Sequence, residues 1–209
     1  MVNPNSANSN NFRNFDFYNY VKNNYKNHSA FIHEAIEPKN NFIYEACTKS
    51  KYIYEVVQGA VKLGSYTQDG SPYIYDVIGQ GNFFGNYEFL NDGQFYEYSK
   101  TLLDCRLRRY NLNFFKSTVL TNPIVSEWFI SYLVSRWVNA EKKIRMANEK
   151  GALEKLKYLK YYFNYQVNDC FGEEYLLFEL LTQKDLGDLV GATRQTIANT
   201  LQKIEINCF

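Results

Sequence analysis

The chain changes rhythm partway along. Over residues 30–115, short runs alternate between apolar and polar positions and are cut by turn signals at close, regular spacing. Residues 52–57 give way to Gln58-Gly59, 60–66 to TQDG at 67–70, and 73–78 to GQGNFFG at 79–85; NDGQ at 91–94 precedes the run 98–110. Many short strands at this spacing predict an antiparallel sandwich or barrel. From Asn122 the period lengthens. Asn122-Pro123 supplies a cap and a first-turn proline. Ile130, Leu133, Trp137, Ala140, Ile144 and Ala147 then recur as alternate a and d positions of a heptad. The pattern predicts a helix of about 28 residues, roughly 42 Å long, ending at Gly151. Trp128, Phe129 and Tyr132 fall on its other faces and can dock on the barrel. A helix with two apolar faces needs two partners: its own barrel and a second copy of itself, or burial within one chain. Shorter helices are expected over 12–26 and 153–165, and a strand over 175–180. Residues 1–11 are expected to be disordered.

Residues 182–205 read TQKDLGDLVGATRQTIANTLQKIE. Thr182 followed by Asp185 matches a capping box. Leu186, Leu189 and Val190 form one stripe. Gly187 is small where a second helix must cross closely, and Gly191 stands where the chain leaves the first helix, at an expected positive φ. Thr193 can cap the next helix, whose inner face is Ile197, Leu201 and Ile204. Arg194, Gln195, Asn199 and Gln202 lie opposite. Arg, Gln and Asn can make paired hydrogen bonds to purine edges in the major groove, and the first turn of such a helix is the part that enters it. The segment is therefore a helix-turn-helix that reads DNA, or a helical hairpin that closes a core.

Composition narrows the function classes. A net charge of +1 over 209 residues gives no global attraction to nucleic acid, so DNA binding requires a local patch. Arg136, Lys142, Lys143, Arg145, Lys150, Lys155, Lys157 and Lys160 form one candidate, as phosphate contacts or as a solvated helix face. Cys47, Cys105, Cys170 and Cys208 are too scattered for a zinc ribbon, a closely spaced iron–sulfur site or a disulfide framework, which fits a reducing cytoplasm. His28 and His33 leave haem open but read better as surface residues. The N-terminus lacks the layout of a signal peptide, and no apolar run approaches the roughly 20 residues of a membrane helix. GQGNFFG reads as turn glycines rather than a dinucleotide loop, because it opens no helix after a strand. Without GxSxG, HExxH or a P-loop there is no catalytic constellation.

A barrel, a long helix and a helix-turn-helix, in that order, resemble the Crp/Fnr family of bacterial transcription regulators. The resemblance rests on FELLTQKDLGDLVGATRQTIANTLQKIE at 178–205 and on GAVKLGSY, GQGNFFG and NDGQ within 59–94. It implies an α+β protein with an antiparallel β-roll sensor (double-stranded β-helix) over 12–120, a dimerisation helix over 121–150 and a helix-turn-helix domain over 151–209. It further implies a cytoplasmic homodimer, with Ile130, Leu133, Trp137, Ala140, Ile144 and Ala147 at the interface, that binds a palindromic duplex and recruits or blocks RNA polymerase. The implied DNA contacts are Thr182, Thr193, Arg194, Gln195, Thr196, Asn199, Gln202 and Lys203. The implied effector pocket is Phe84, Gly85, Asn86, Tyr87, Tyr96 and Glu97.

Two departures change the expectation. Cyclic-nucleotide-binding members carry a Glu after the glycine matching Gly85, and an Arg followed by Ser or Thr about ten residues later. Here the residues are Asn86 and Tyr96-Glu97, so a carboxylate sits where the cyclic phosphate would bind. cAMP and cGMP are therefore not expected as tight effectors; the pocket takes another small molecule, or its own Tyr and Phe side chains fill it. The chain also stops at Ile206-Asn207-Cys208-Phe209, without the hairpin wing usual in the family. The alternative function is then a sensing or interaction protein whose helix-turn-helix no longer binds DNA.

Overall fold

The computed structural model describes residues 15–48, 51–87 and 95–206, with side chains through Lys203. The expectations for residues 1–11, for NDGQ at 91–94, for the inner-face side chain of Ile204 and for the wing region at 207–209 lie outside the described residues.

Eight short strands build the first half: β1 (Ile32–Glu37), β2 (Phe42–Tyr44), β3 (Tyr52–Gln58), β4 (Ala60–Tyr66), β5 (Pro72–Gly79), β6 (Phe83–Gly85), β7 (Tyr98–Thr101) and β8 (Cys105–Asn111). They form two antiparallel four-stranded sheets, ordered β1-β8-β3-β6 and β2-β7-β4-β5. Side-chain alternation lets the sheets share an interior. Tyr54 and Val56, Val61 and Leu63, and Cys105 and Leu107 turn the same way and are buried with Tyr44, Ile78 and Phe84. GQGNFFG holds the end of β5, a turn at 80–82 and the whole of β6, so the turn reading holds for its middle and FFG is itself a strand.

The single run expected at 98–110 is two strands. β7 pairs with β2 and β4, whereas β8 pairs with β1 and β3. The chain must therefore cross between sheets at Leu102–Asp104. The Asp104 carboxylate fixes that crossing by accepting from the Lys39 amide at 2.8 Å.

Helices close one end of the roll. α1 (Phe17–Asn24) is capped by Asp16, and α2 (Leu112–Thr121) by Asn111. The sequence pattern did not predict α2. α3 (Pro123–Ala147) starts at the Asn122 cap with Pro123 in its first turn. Trp128, Phe129 and Tyr132 are buried against Phe17, Phe83, Tyr110 and Phe115. The Phe17 and Trp128 rings stack at 5.1 Å. α3 is 25 residues long rather than about 28, and Asn148 ends it; Gly151 instead precedes α4 (Ala152–Tyr162).

After α4 comes a small hairpin, β9 (Gln166–Asn168) with β10 (Glu174–Leu176). Of the expected strand 175–180 only Tyr175 and Leu176 are extended, in β10; Leu177–Leu180 is a 3-10 turn that delivers the chain to Thr182. α5 (Gln183–Val190) and α6 (Arg194–Ile206) complete the fold. The outer face of the β4–β5–β7 sheet, through Ala60, Ile74, Val77 and Tyr98, shares one apolar cluster with Leu156, Phe163, Leu177, Leu186, Val190 and Ile197.

Gly187 sits in α5 where the turn into α6 passes: a Cβ there would meet the Ala192 carbonyl oxygen at 2.7 Å. Gly187→Ala is expected to lower stability by about 1–3 kcal/mol through overpacking against backbone. Urea unfolding followed by circular dichroism measures it; an unchanged midpoint would show that the turn at Ala192 does not approach α5 this closely.

Candidate functional site

The helix-turn-helix is held together locally. Thr182 Oγ1 accepts from the Asp185 amide at 3.1 Å, and Asp185 Oδ2 accepts from the Thr182 amide at 2.9 Å, closing the capping box. Gly191 ends α5 at φ 68, a left-handed conformation that glycine adopts at no steric cost. Thr193 caps α6 by accepting from the Thr196 amide at 3.1 Å. Ile197 is fully buried and Leu201 half-buried, so α6 has an anchored inner face.

The opposite face is open to solvent. Thr193, Arg194, Gln195, Thr196, Asn199, Gln202 and Lys203 are all exposed, as is Thr182 at the start of α5. Gln195 Nε2 donates to Asn199 Oδ1 at 3.0 Å, so these two amides already lie side by side one turn apart. Arg194 Nε reaches Gln183 Oε1 at 3.5 Å. The expected DNA-reading residues are thus all open to solvent, with Gln195 and Asn199 in direct contact.

The same is not true of the basic run on α3 and α4. Arg136 Nη2 lies 3.6 Å from Asp76 on β5, and Lys143 forms an ion pair with the same carboxylate. Lys155 donates to the Val190 carbonyl, and Lys157 pairs with Glu154. Two of these cations face the roll, so the run is not one continuous phosphate-binding surface.

The α3 heptad positions also fall on one face. Ile130, Trp137 and Ile144 are 60%, 68% and 63% exposed, although most isoleucine and tryptophan side chains are well covered in a folded chain. Leu133, Ala140 and Ala147 are exposed beside them.

In the roll, the expected effector residues separate. Phe84 is fully buried and stacks on Tyr54 at 5.2 Å, within an interior shared by Tyr44 and Phe95. Gly85 is buried at the end of β6. Half-buried Asn86 and Tyr87 lead out of that strand, and Tyr87 packs edge-on against Phe129 of α3 at 5.5 Å. Tyr96 is 57% exposed, and its carbonyl accepts from Ser65. Glu97 turns inward, where its two oxygens accept from the hydroxyls of Tyr44 on β2 and Tyr75 on β5.

Burial pushes the Glu97 carboxyl up; hydrogen bonds from Tyr44 and Tyr75 and the charge of Arg136 pull part of the way back. Tyr44 is raised well above the ordinary phenol range by burial and by Glu97. Tyr44, Tyr75 and Asp76 were missed in the sequence, and Arg136 was read only as part of the basic run. Arg136 alone carried a signal, as a cation one turn after Tyr132 on the face that docks on the roll. Its Nη1 donates to the Phe83 carbonyl at 3.1 Å.

His28 lies against the Tyr25 carbonyl, and no group of three metal-binding side chains occurs among the described residues. Cys105 and Cys170 are buried and form no disulfide. No described helix is long and apolar enough to cross a membrane.

A two-sheet roll, a long helix and a capped helix-turn-helix follow one another in this order along the chain. Residues 38–122 match the cyclic nucleotide-binding domain family. The chain is 21% identical over 180 residues to the cAMP-activated global transcriptional regulator CRP of Pasteurella multocida, covering 80% of each chain. It is 22% identical over 168 residues to a CRP-like cAMP-activated global transcriptional regulator of Mycobacterium tuberculosis, covering 78% of this chain and 73% of that one. The structure of FixK2 from Bradyrhizobium japonicum superposes with a TM-score of 0.65 at 18% identity, covering 84% and 85% of the two chains. These similarities uphold the resemblance to the Crp/Fnr family, and the Pasteurella and Mycobacterium relatives are transcriptional regulators.

The raised Glu97 carboxyl has a measurable sign. Such a group takes up a proton on folding, so it contributes stability at acid pH that is lost as pH rises from 4.5 through the folded midpoint. A carboxyl-resolved NMR titration is expected to place the Glu97 midpoint above 4.5; a midpoint below it would mean that the tyrosine hydroxyls outweigh burial.

Proposed function

We propose that this chain is a homodimeric, DNA-binding transcriptional regulator whose effector, if it has one, is not a cyclic nucleotide. The observation that carries the reading is α6. Its inner face is anchored by Ile197, its start is capped by Thr193, and its outer face presents Arg194, Gln195 and Asn199 to solvent. Arg194 suits guanine, whereas Gln195 and Asn199 suit adenine, so the operator is a palindrome leaning toward A·T. Its half-sites lie about one helical turn, roughly 34 Å, apart. Thr182, Thr196, Gln202 and Lys203 supply flanking contacts, and RNA polymerase is the natural further partner of a protein so placed.

Two copies pair through the exposed α3 stripe, which repeats at heptad spacing from Ile130 to Ala147. In the roll, Tyr96-Glu97 takes the place of the family's Arg followed by Ser or Thr, and Glu97 is held by Tyr44 and Tyr75. The carboxylate repels a cyclic phosphate. The cytoplasm is the compartment where such a regulator meets DNA.

Site selection from a random duplex library tests DNA recognition. An enriched palindrome is expected, bound about 10–100-fold more weakly by Arg194→Ala. Affinity should fall with salt at about 0.9 in log–log slope per phosphate contact. No enrichment at low salt would sink the reading. Pairing is tested separately: sedimentation is expected to show a dimer for the parent chain and a folded monomer for Ile144→Lys. A monomeric parent would exclude the α3 seam.

A further inference from the structure

Two routes connect α6 to the α3 stripe. The covalent one is weak. Residues 148–151 between α3 and α4 are exposed, and Gly151 sits at φ 87 with open space where a Cβ would stand. Such a turn fixes no angle by itself. The other route runs through packing. α3 is held on the roll by its aromatic face and by Tyr132, whose hydroxyl accepts from the Phe83 amide at 2.9 Å. The roll is docked on α5, and Leu186 and Val190 of α5 share one cluster with Ile197 of α6. The angle of α6 to α3 is therefore set where α5 meets the roll.

Apolar burial is non-directional, so it holds that contact closed without choosing the angle. Direction comes from the polar groups above it. Lys62 of β4 donates to Asp185 Oδ2 at 2.6 Å, and both side chains are nearly buried. Asp188 accepts from the Ile74 amide at 3.2 Å, and Lys184 donates to the Pro72 carbonyl at 3.0 Å and to Asp188 at 2.7 Å. The charges balance, with Lys62 and Lys184 against Asp185 and Asp188. Lys100, opposite Lys62 on β7, lies 5.0 Å over the Phe42 ring. β5 contributes only backbone groups to this set; Lys62 is the side chain that the roll supplies.

We infer that Lys62 sets the spacing between the two half-sites that a dimer of this chain reads: through Asp185 it holds α5, and with it α6, at one angle to the roll and so to the α3 seam. The inference rests on the reading of the chain as a dimeric DNA-binding regulator. Lys62 is a positioning residue, because α5 stands between it and α6. Two half-sites bound by one dimer are linked sites, and their gain over a single half-site depends on how well the span of the protein matches that of the DNA. A stiffly docked dimer gains much at one spacing and little elsewhere. A loosely docked one gains less at the optimum and loses less away from it. One base pair moves a half-site by about 3.4 Å and turns it by roughly 34°, so spacing is a fine gauge of docking.

The experiment measures the affinity of the full-length protein for three kinds of duplex: the selected palindrome, the same palindrome with two base pairs added or removed at its centre, and a duplex carrying one half-site. The parent is expected to lose at least about tenfold when the spacing is shifted. Lys62→Met is expected to bind the optimal palindrome about tenfold more weakly, the shifted ones within about threefold of that, and the single half-site as the parent does. Lys62→Arg keeps the ion pair and is expected to restore the parent profile. A general defect in the fold would instead weaken all duplexes together, the half-site included. Should Lys62→Met lose its fold by circular dichroism, the double variant Lys62→Met with Asp185→Asn takes its place. It leaves no unpaired buried charge and keeps an oxygen for the Thr182 amide, and the same broadening is expected of it. A folded variant that keeps the sharp optimum, equal losses on palindrome and half-site, or a parent without spacing preference would overturn the inference and leave DNA recognition standing. A parent that binds no duplex would end both readings, so the two failures are told apart.

Discussion

Asp185 is the residue through which the C-terminal half is fixed to the rest. Its carboxylate accepts from the Thr182 amide and hydroxyl at the start of α5, where the helix dipole also favours negative charge. The same Oδ2 pairs with Lys62 of β4 at 2.6 Å, with the two side chains only 8% and 13% exposed. Removing one member of so buried a pair typically costs about 3–5 kcal/mol, because the other charge is left without a partner. Around it, Asp188 accepts from the Ile74 amide of β5, and Lys184 reaches the Pro72 carbonyl. β5 is an edge strand with backbone groups to satisfy, and α5 supplies part of what a further strand would. The helix-turn-helix is thus docked on the roll by polar groups that sit over an apolar cluster.

That docking explains what was legible in the sequence. The capping box, Gly191 and the Thr193 cap are local devices, each decided by residues within four positions, and are found as read, whereas Gly187 is small for the turn backbone at Ala192 rather than for the second helix itself. The strand pattern over 52–79 was equally clear, because alternation is a property of the strand itself. What failed to show depends on distant partners. The break between β7 and β8 exists because those strands join different sheets, and nothing in 98–110 announces it. α2 was missed because its buried face is short and its cap, Asn111, ends a strand. The ion pair of Lys62 with Asp185 joins residues far apart in sequence, and neither position hints at the other.

The roll shows the same division. Tyr96-Glu97 in place of the expected Arg followed by Ser or Thr was visible as a departure, yet its consequence was not. Only the fold brings Tyr44 from β2 and Tyr75 from β5 to the two oxygens of that carboxylate. Arg136 was counted among surface cations by proximity in sequence, whereas the helical period turns it toward Phe83 and Asp76. A charge run along a helix is several faces at once, and assigning it one role loses that.

The apolar cluster that joins Ala60, Ile74 and Tyr98 of the roll to Leu156, Leu186 and Ile197 crosses the short break between α3 and α4. A boundary drawn there divides the chain on paper but cuts through a shared interior. A piece excised at that point carries half of that interior as raw, water-facing hydrocarbon, the kind of surface that drives clumping. The full chain, by contrast, has reason to melt as one cooperative unit, even though its architecture invites a description in separate parts.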